Sequence, residues 1–493
     1  MKDLKNYIVF DFGASNGRAA VVRYDGNRFD MDVTHRFENR PVYATNTLYW
    51  DILSLYAELK CGLQKSFAKY KKIESMALDT WGADFGFIDK NGRLISNPVH
   101  YRDRQRVDDC RGVFEKISAE RLFELTGAWV HPNFDLFHLY SMKKNSWPEY
   151  EYGEVFLTIP DILNYFLTGK TCNEWTRITN SIMYDQVKKR WSDEVFDTFG
   201  LSKDMFAPII EPGNIIGKIS GQVSRELEIG PLQVIAPVTH DTPSAVAGIP
   251  VSAKGNWAFI SLGTWAIVGL ETDAPIISKE IMDKGFSNEG GAEYTNLFIR
   301  NITGLWIIQQ CRAKWIKEKG SDISWDEIVR LSAAAPAFEA FIDVDDPVFA
   351  QPAVDMPQVV REHCRGAKPE SIGQAARCVY EGLALKFKHD VAALEELSGK
   401  KLDLLHMIGG GIQNKMLCQW TADATGIPVT AGPAETTSVG NFLMQLKALG
   451  EIGGLADGRL ISCRSSEVDH YEPKDPDSWD DAYQEYLNKT GGN

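Results

Sequence analysis

Two runs in this chain share a composition suited to holding phosphate. Ile8-Val9-Phe10-Asp11-Phe12-Gly13-Ala14-Ser15-Asn16-Gly17-Arg18 leads into the apolar stretch Ala19 to Val22, and Ala258-Phe259-Ile260-Ser261-Leu262-Gly263-Thr264-Trp265 leads into Ala266-Ile267-Val268. Each reads as two strands joined by a turn of small and hydroxylated residues, whose free backbone N–H groups let an anion come close. The spacing of Gly13 and Gly17 matches neither a Walker A loop nor a dinucleotide fingerprint, and no crossover helix follows. An anionic Asp11 beside such a turn is unfavourable unless a cation lies between. Mg²⁺ keeps its waters and takes one or two carboxylates, so Asp11 would act on it through water. The plainer alternative is a turn-forming Asp.

A second kind of chemistry sits at His240-Asp241-Thr242, just after the apolar run Gln233 to Val238. A carboxylate at a strand end can accept the proton of an attacking hydroxyl in phosphoryl transfer, which makes Asp241 the general-base candidate. Capping the following helix start is the competing role. Gly409-Gly410-Gly411 lies between a strand and a helix, where bare backbone can meet a flat ring or a phosphate, or simply turn. Trp81, Tyr101 and Trp265 offer faces for a sugar, with Asp84, Arg102 and Asp103 as partners for its hydroxyls. A core position is the competing reading for each ring.

The elements that must carry these residues follow from periodicity. Tyr7 to Phe10, Ala19 to Tyr24 and Met31 to Phe37 predict an antiparallel meander, and Ile52, Leu55, Tyr56, Leu59 and Leu63 predict a helix from about Trp50 to Ala68. Ile73 to Leu78 predicts a buried strand that leaves Asp79 to Asp84 just beyond its end, where ligands of open α/β sheets collect. Phe85 to Ile88 runs into Asp89-Lys90-Asn91-Gly92, a hairpin signal. Residues 110 to 210 read as mostly helical insertions. The last third alternates: helix Gln374 to Leu397, strand Leu402 to Ile408, helix Asn414 to Thr425, strand Ile427 to Thr430, helix Thr437 to Leu449. The boundary falls near Gly248 to Lys254, giving a first lobe over 1–248, a second over 249–465, and an acidic tail over 466–493 with no packing signal.

Composition limits the partners. At 493 residues the chain needs two or three domains. A formal charge of −14 and a pI near 5.2, with no Lys/Arg block, argue against nucleic acid and membrane surfaces. Eight scattered cysteines form no C-x-x-C pair, and the polar start Met1-Lys2-Asp3-Leu4-Lys5-Asn6 is not a signal sequence, so a reducing cytoplasm is expected. No surface stripe predicts an oligomeric interface.

Taken in order, Asp11 to Arg18, Asp79 to Gly86, Pro98 to Asp103, Pro160-Asp161, His240-Asp241-Thr242, Ser261 to Trp265, Asn288 to Glu293, Asn301 to Trp306 and Gly409 to Asn414 resemble the FGGY carbohydrate kinases of the actin and hexokinase-like ATPase superfamily. The resemblance covers nearly the whole chain and is strongest to the L-rhamnulose kinases. It implies an α/β fold of two lobes, each on a ribonuclease-H-like core, with ATP and a ketose meeting in the cleft. By that resemblance Ala14, Ser15, Asn16, Gly17, Arg18 and Thr264 surround the ATP phosphates, with Gln309 and Gly410 on the nucleotide side. Gly82, His240, Asp241, Thr242 and Asn301 contact the sugar, Asp241 is the base, and the reaction is phosphorylation of the ketose 1-hydroxyl. One segment departs: His131-Pro132-Asn133-Phe134-Asp135-Leu136 stands where those kinases tend to carry Asn-Thr in place of Asp135-Leu136. It is expected near the sugar, where it would bear on L-fuculose, the C4 epimer, as an alternative or additional substrate. Kinases for xylulose, ribulose or glycerol are rivals within the class. A chaperone or filament subunit of the same ATPase fold is the rival outside it, for which Trp81, Asp84, Arg102 and Asp241 would have no use.

Overall fold

The computed structural model describes residues 4–252, 255–350 and 355–491. Strand Lys5–Phe12 is apolar on both faces, with Tyr7 to Phe10 buried, and such a strand belongs inside a sheet. It lies in a six-stranded sheet ordered Asn214–Lys218, Gln233–Ala236, Ser75–Thr80, Lys5–Phe12, Asn16–Tyr24, Phe29–Glu38. The last three form the expected antiparallel meander, and Ser75–Thr80 and Gln233–Ala236 add in parallel. The second sheet repeats the plan: Asn296–Thr303, Trp265–Thr272 and Trp257–Leu262 are antiparallel, and Leu404–Ile408 and Val429–Ala431 add in parallel. Three antiparallel strands followed by two parallel ones, twice, is the two-lobed ribonuclease-H-like architecture expected from the paired turns.

Helices cover the sheets where the sequence predicts them. Asp51 accepts from the Ser54 N–H and starts Ile52–Lys69, which buries Ile52, Leu55, Leu59 and Leu63. Ser371 and Gln374 form a capping box on Ile372–Ser398, and Gly399 ends it in the left-handed conformation. The turn expected at Asp89 to Gly92 forms: Asp89 N–H donates to the Arg93 carbonyl at 2.8 Å, and Ile88 bridges Leu94 in antiparallel fashion, with Ile95 N–H donating to the Phe87 carbonyl at 3.1 Å. The return is short, and the longer partner of Phe85–Ile88 is Val155–Thr158, from an insertion rich in aromatics. That insertion builds its own core around Phe85, Phe137, Phe156, Trp175 and Phe196.

Two stretches pack differently from the division at 248 and 465. Helices Thr436–Ala448 and Leu455–Ser465 lie against the first sheet, where Phe442, Leu443, Leu446 and Leu455 join Tyr7, Val9, Ala20 and Val22. Thr436–Ala448 crosses Asp241–Gly248 so closely that a Cβ on Gly440 would lie 1.9 Å from the Ser244 carbonyl oxygen. The tail is part of the second lobe. Asp469–Tyr471 closes its sheet, and Pro476–Thr490 buries Trp479, Ala482 and Tyr486. These anchors are spaced i, i+3, i+7 amid Asp and Glu, so the acidic composition hid a helix face. Lys254, at the far end of the expected boundary, lies outside the described residues.

Candidate active site

Three acidic side chains meet where the parallel strands of the first sheet end. Asp11 and Asp79 are register partners on neighbouring strands, and Thr80 bridges to His240, which places Asp241 one residue farther on. Asp79 is fully buried, accepts from Asn441 Nδ2 at 2.6 Å, and leaves Oδ1 without a partner. Burial, then the charge of Asp11, holds its carboxyl well above the usual range. Asp241 is pushed up to about 7 by the same two causes. Its side chain is a third exposed, toward the cleft floor, and accepts from the Thr242 hydroxyl at 3.3 Å. Arg18 is the nearby counter-charge, bonding Asp11 Oδ2 through Nε and Nη2 at 3.0 and 2.6 Å and also meeting Glu435. The Arg18 guanidinium is thus engaged with carboxylates and not turned free into the cleft.

Ser15 and Asn16 are exposed at the tip of the first turn, closed by Gly13 N–H to Asn16 O at 2.8 Å and braced by Asn39. Gly17 is buried, and a Cβ there would strike the Phe37 ring at 2.2 Å. Its small size therefore serves packing, and only its backbone is available to a phosphate. In the second turn Gly263 N–H meets Trp265 O at 2.9 Å, and the Thr264 hydroxyl donates to Gln309 Oε1 at 3.2 Å.

Two cavities lie near these turns. One of about 270 Å³ is lined from the first lobe by Trp81, Gly82, Arg102, His240 and Thr242, and from the second by Trp265, Glu289 and Asn301. His240 fills the space that a Cβ on Gly82 would occupy, 2.2 Å from Nε2, so glycine is required there. Burial, with the Arg177 charge second, pushes the imidazole down to about 3, so it is neutral. The second cavity, about 380 Å³, lies in the second lobe between Thr264, Gln309, Trp325, Tyr380 and Gly410. The three glycines divide their roles: Gly409 has φ 85°, Gly411 lies against Leu262, and Gly410 faces open space. A flat ring between Trp325 and Gly410, with a polyphosphate reaching the two turns, suits this cavity.

Several sequence expectations move. Asp84 is fully buried: Oδ2 accepts from Trp50 Nε1 at 2.6 Å and Tyr101 N–H at 2.9 Å, and Oδ1 from Arg106 at 2.8 Å. It fixes the loop under the first cavity and has no oxygen left for a sugar. Asp103 is likewise spent, capping Arg104–Phe114 and accepting from the Leu48 N–H. Asp135 and Leu136 are also fully buried, with Asp135 paired to Arg177, which in turn donates to the Asp84 carbonyl. The departure from the kinase pattern therefore acts beneath the cavity, whose wall here is Trp129, His131, Asn133 and Phe134. Trp129, Asn180 and Glu289 line the first cavity and Trp325 and Tyr380 the second, and sequence reasoning selected none of them. Only Glu289 carried a signal, as an acidic residue within the Asn288 to Glu293 run.

Among the described residues no helix is long and apolar enough to cross a membrane. The description "FGGY family of carbohydrate kinases, N-terminal domain" matches residues 6–248, and its C-terminal counterpart matches 258–449. A curated relative from Bacteroides thetaiotaomicron, named rhamnulokinase, is 36% identical over 98% of this chain and 99% of its own. Another of that name from Enterococcus faecalis is 33% identical, covering 99% and 98%. The fold matches a ligand-bound xylulose kinase from Lactobacillus acidophilus with TM-score 0.83 at 14% identity, covering 98% of this chain and 97% of that one. Plasmodium falciparum glycerol kinase with ADP matches at 0.79 and 15%, with the same coverage. Paired turns, a carboxylate-lined floor and two adjoining cavities are thus joined to family matches over both halves of the chain: it belongs to the FGGY family of carbohydrate kinases and is an enzyme.

Proposed function

We propose that this kinase transfers the γ-phosphoryl group of ATP to O1 of a 6-deoxy-L-ketohexose, converting L-rhamnulose to L-rhamnulose 1-phosphate in the cytoplasm. The observation that carries the reading is the position of Asp241, between two lining residues of the 270 Å³ cavity and beside the carboxylate-rich floor, with a carboxyl raised to about 7. A base with that affinity is half-ionised near neutral pH, which suits removal of a hydroxyl proton. The rhamnulokinase name of relatives matching end to end supports the choice of ketose.

In this reading the ketose lies against Gly82, His240, Thr242, Arg102 and Asn301, and Asp241 accepts the O1 proton as O1 bonds to the γ-phosphorus. The bond to the bridging oxygen breaks and ADP leaves. Ala14 to Arg18 and Thr264 hold the phosphates, and Gln309 and Gly410 face the nucleoside. The residues fit Mg²⁺: Asp11 and Asp79 face one another in register, and the Asp11 charge helps raise both Asp79 and Asp241, an excess of negative charge that a divalent ion relieves. Asp11 would hold the ion through water, and bound Mg²⁺ supplies charge neutralisation on the phosphates. Arg18 then has to exchange some of its carboxylate pairing for phosphate.

A coupled ADP-release assay across L-rhamnulose, L-fuculose, L-xylulose and L-ribulose tests the assignment through kcat/KM, the ratio in which discrimination resides. The expected result is highest kcat/KM for L-rhamnulose. A higher value for L-fuculose replaces it with the C4 epimer, and preference for a pentulose rejects the 6-deoxyhexulose.

A further inference from the structure

The first cavity has one polar wall from the second lobe that the proposed chemistry leaves without a task. Glu289 sits in strand Phe286–Gly290, is 7% exposed, and lines the cavity. Its Oε1 accepts from Asn180 Nδ2 at 3.1 Å, whereas Oε2 is buried with no hydrogen-bond partner. The nearest ring nitrogen, His240 Nδ1, lies 3.5 Å from Oε2 and already faces the Asn180 amide at 3.3 Å. On the opposite edge of the same ring, His240 Nε2 lies 3.5 Å from Asp241 Oδ1. One imidazole therefore separates two carboxyl groups, one at the proposed reacting hydroxyl and the other farther along the pocket.

Burial raises the Glu289 carboxyl to about 8, the Asp241 charge adding to it and the Asn180 hydrogen bond opposing it. A neutral carboxyl both donates and accepts, as a sugar hydroxyl does, and the two are matched partners. A buried polar atom without a partner is uncommon in a native protein, and this one belongs to a side chain in the cavity wall, where a small adjustment of the carboxyl would let an entering hydroxyl supply the partner.

We propose that Glu289 is a specificity-determining residue for the acceptor: its Oε2 binds a ketose hydroxyl remote from O1, with Asn180 holding the other oxygen in place. This rests on the ketose-kinase reading above. The contact comes from the lobe opposite His240 and Asp241, so the acceptor is read by both lobes at once.

The test is steady-state kinetics of the full chain with L-rhamnulose, ATP and Mg²⁺. Glu289→Ala is expected to lower kcat/KM for the ketose about 10- to 100-fold through a raised ketose KM, with the KM for ATP within about 2-fold of wild type. Glu289→Gln keeps an acceptor for Asn180 and a donor for the sugar, and is expected to remain within about 5-fold of wild type. Should the alanine variant not fold, Glu289→Asp withdraws the oxygens by one methylene and carries the same expectation as alanine. An unchanged ketose KM in the shortened variants, or a glutamine variant as impaired as they are, overturns the proposal. Wild-type protein that phosphorylates no ketose overturns the ketose-kinase reading and this inference together; wild-type turnover with unaffected shortened variants overturns the inference alone.

Discussion

Asp241→Asn keeps the shape of the carboxyl and removes its basicity, so kcat is expected to fall about 10²- to 10⁴-fold. ATP binding, measured by calorimetry, should stay near wild type. The carboxyl stands at about 7 without metal and bound Mg²⁺ would lower it, so kcat/KM for the ketose should decline as pH falls, with its midpoint below 7. Stability has its own pH signature. Asp161 and Glu381 stand at about 7 and Glu289 at about 8, all raised chiefly by burial, against about 4 in an unfolded chain. Each native carboxyl holds its proton longer, so its contribution is full below about pH 4 and is lost as pH rises through the folded value. His100 and His240 at about 3, and His389 and His406 at about 4, act oppositely, but only up to their unfolded value of about 6.5. The thermal midpoint should therefore fall from pH 6.5 to pH 8; a rise across that window would show these carboxyls to be ionised in the folded protein. At this scale the sequence marked Asp11 and His240 to Thr242, polar residues at or just beyond the ends of apolar strands, and the structure brings them together. Sequence reasoning assigned Asp84 a sugar-facing role and left the burial of Asp135 unread, because their pairing with Arg106 and Arg177 depends on partners 22 and 42 residues away.

At the scale of elements, two glycines separate architecture from ligand contact. Gly440→Ala would drive a methyl into the Ser244 carbonyl, backbone against backbone, and the helices must part. A loss of about 1–3 kcal/mol is expected in chemical denaturation. Gly410→Ala meets no atom within 4 Å, so stability should stay within about 0.5 kcal/mol while the KM for ATP rises. The reverse pattern would exchange their roles. Strand and helix positions were legible from apolar period, and the structure adds caps that agree with it, as at Asp51 and Ser371. The local turn after Phe85–Ile88 was legible too, but its pairing with Val155–Thr158 was not, since a distant strand partner is chosen by tertiary packing.

The whole molecule depends on both ends of the chain. Deleting residues after 465 would strip the edge strand Asp469–Tyr471 and expose the pocket left by Trp479 and Tyr486. Such a truncation is expected to expose second-lobe amides to hydrogen exchange while first-lobe protection persists. The repeated lobes were readable from the paired turns, yet the return of Thr436–Ala448 to the first sheet was not, because an apolar run does not by itself say which sheet it covers. That return has a consequence for synthesis. Gln445 donates to the Ile8 carbonyl from 437 residues away, and the helix that carries it covers Tyr7, Val9, Ala20 and Val22. At about 5–20 residues per second, a ribosome needs roughly 20–90 s to deliver that cover. Translation speed thus sets how long the rear of the first sheet stays bare, and a holding chaperone has a defined apolar surface to shield during that interval.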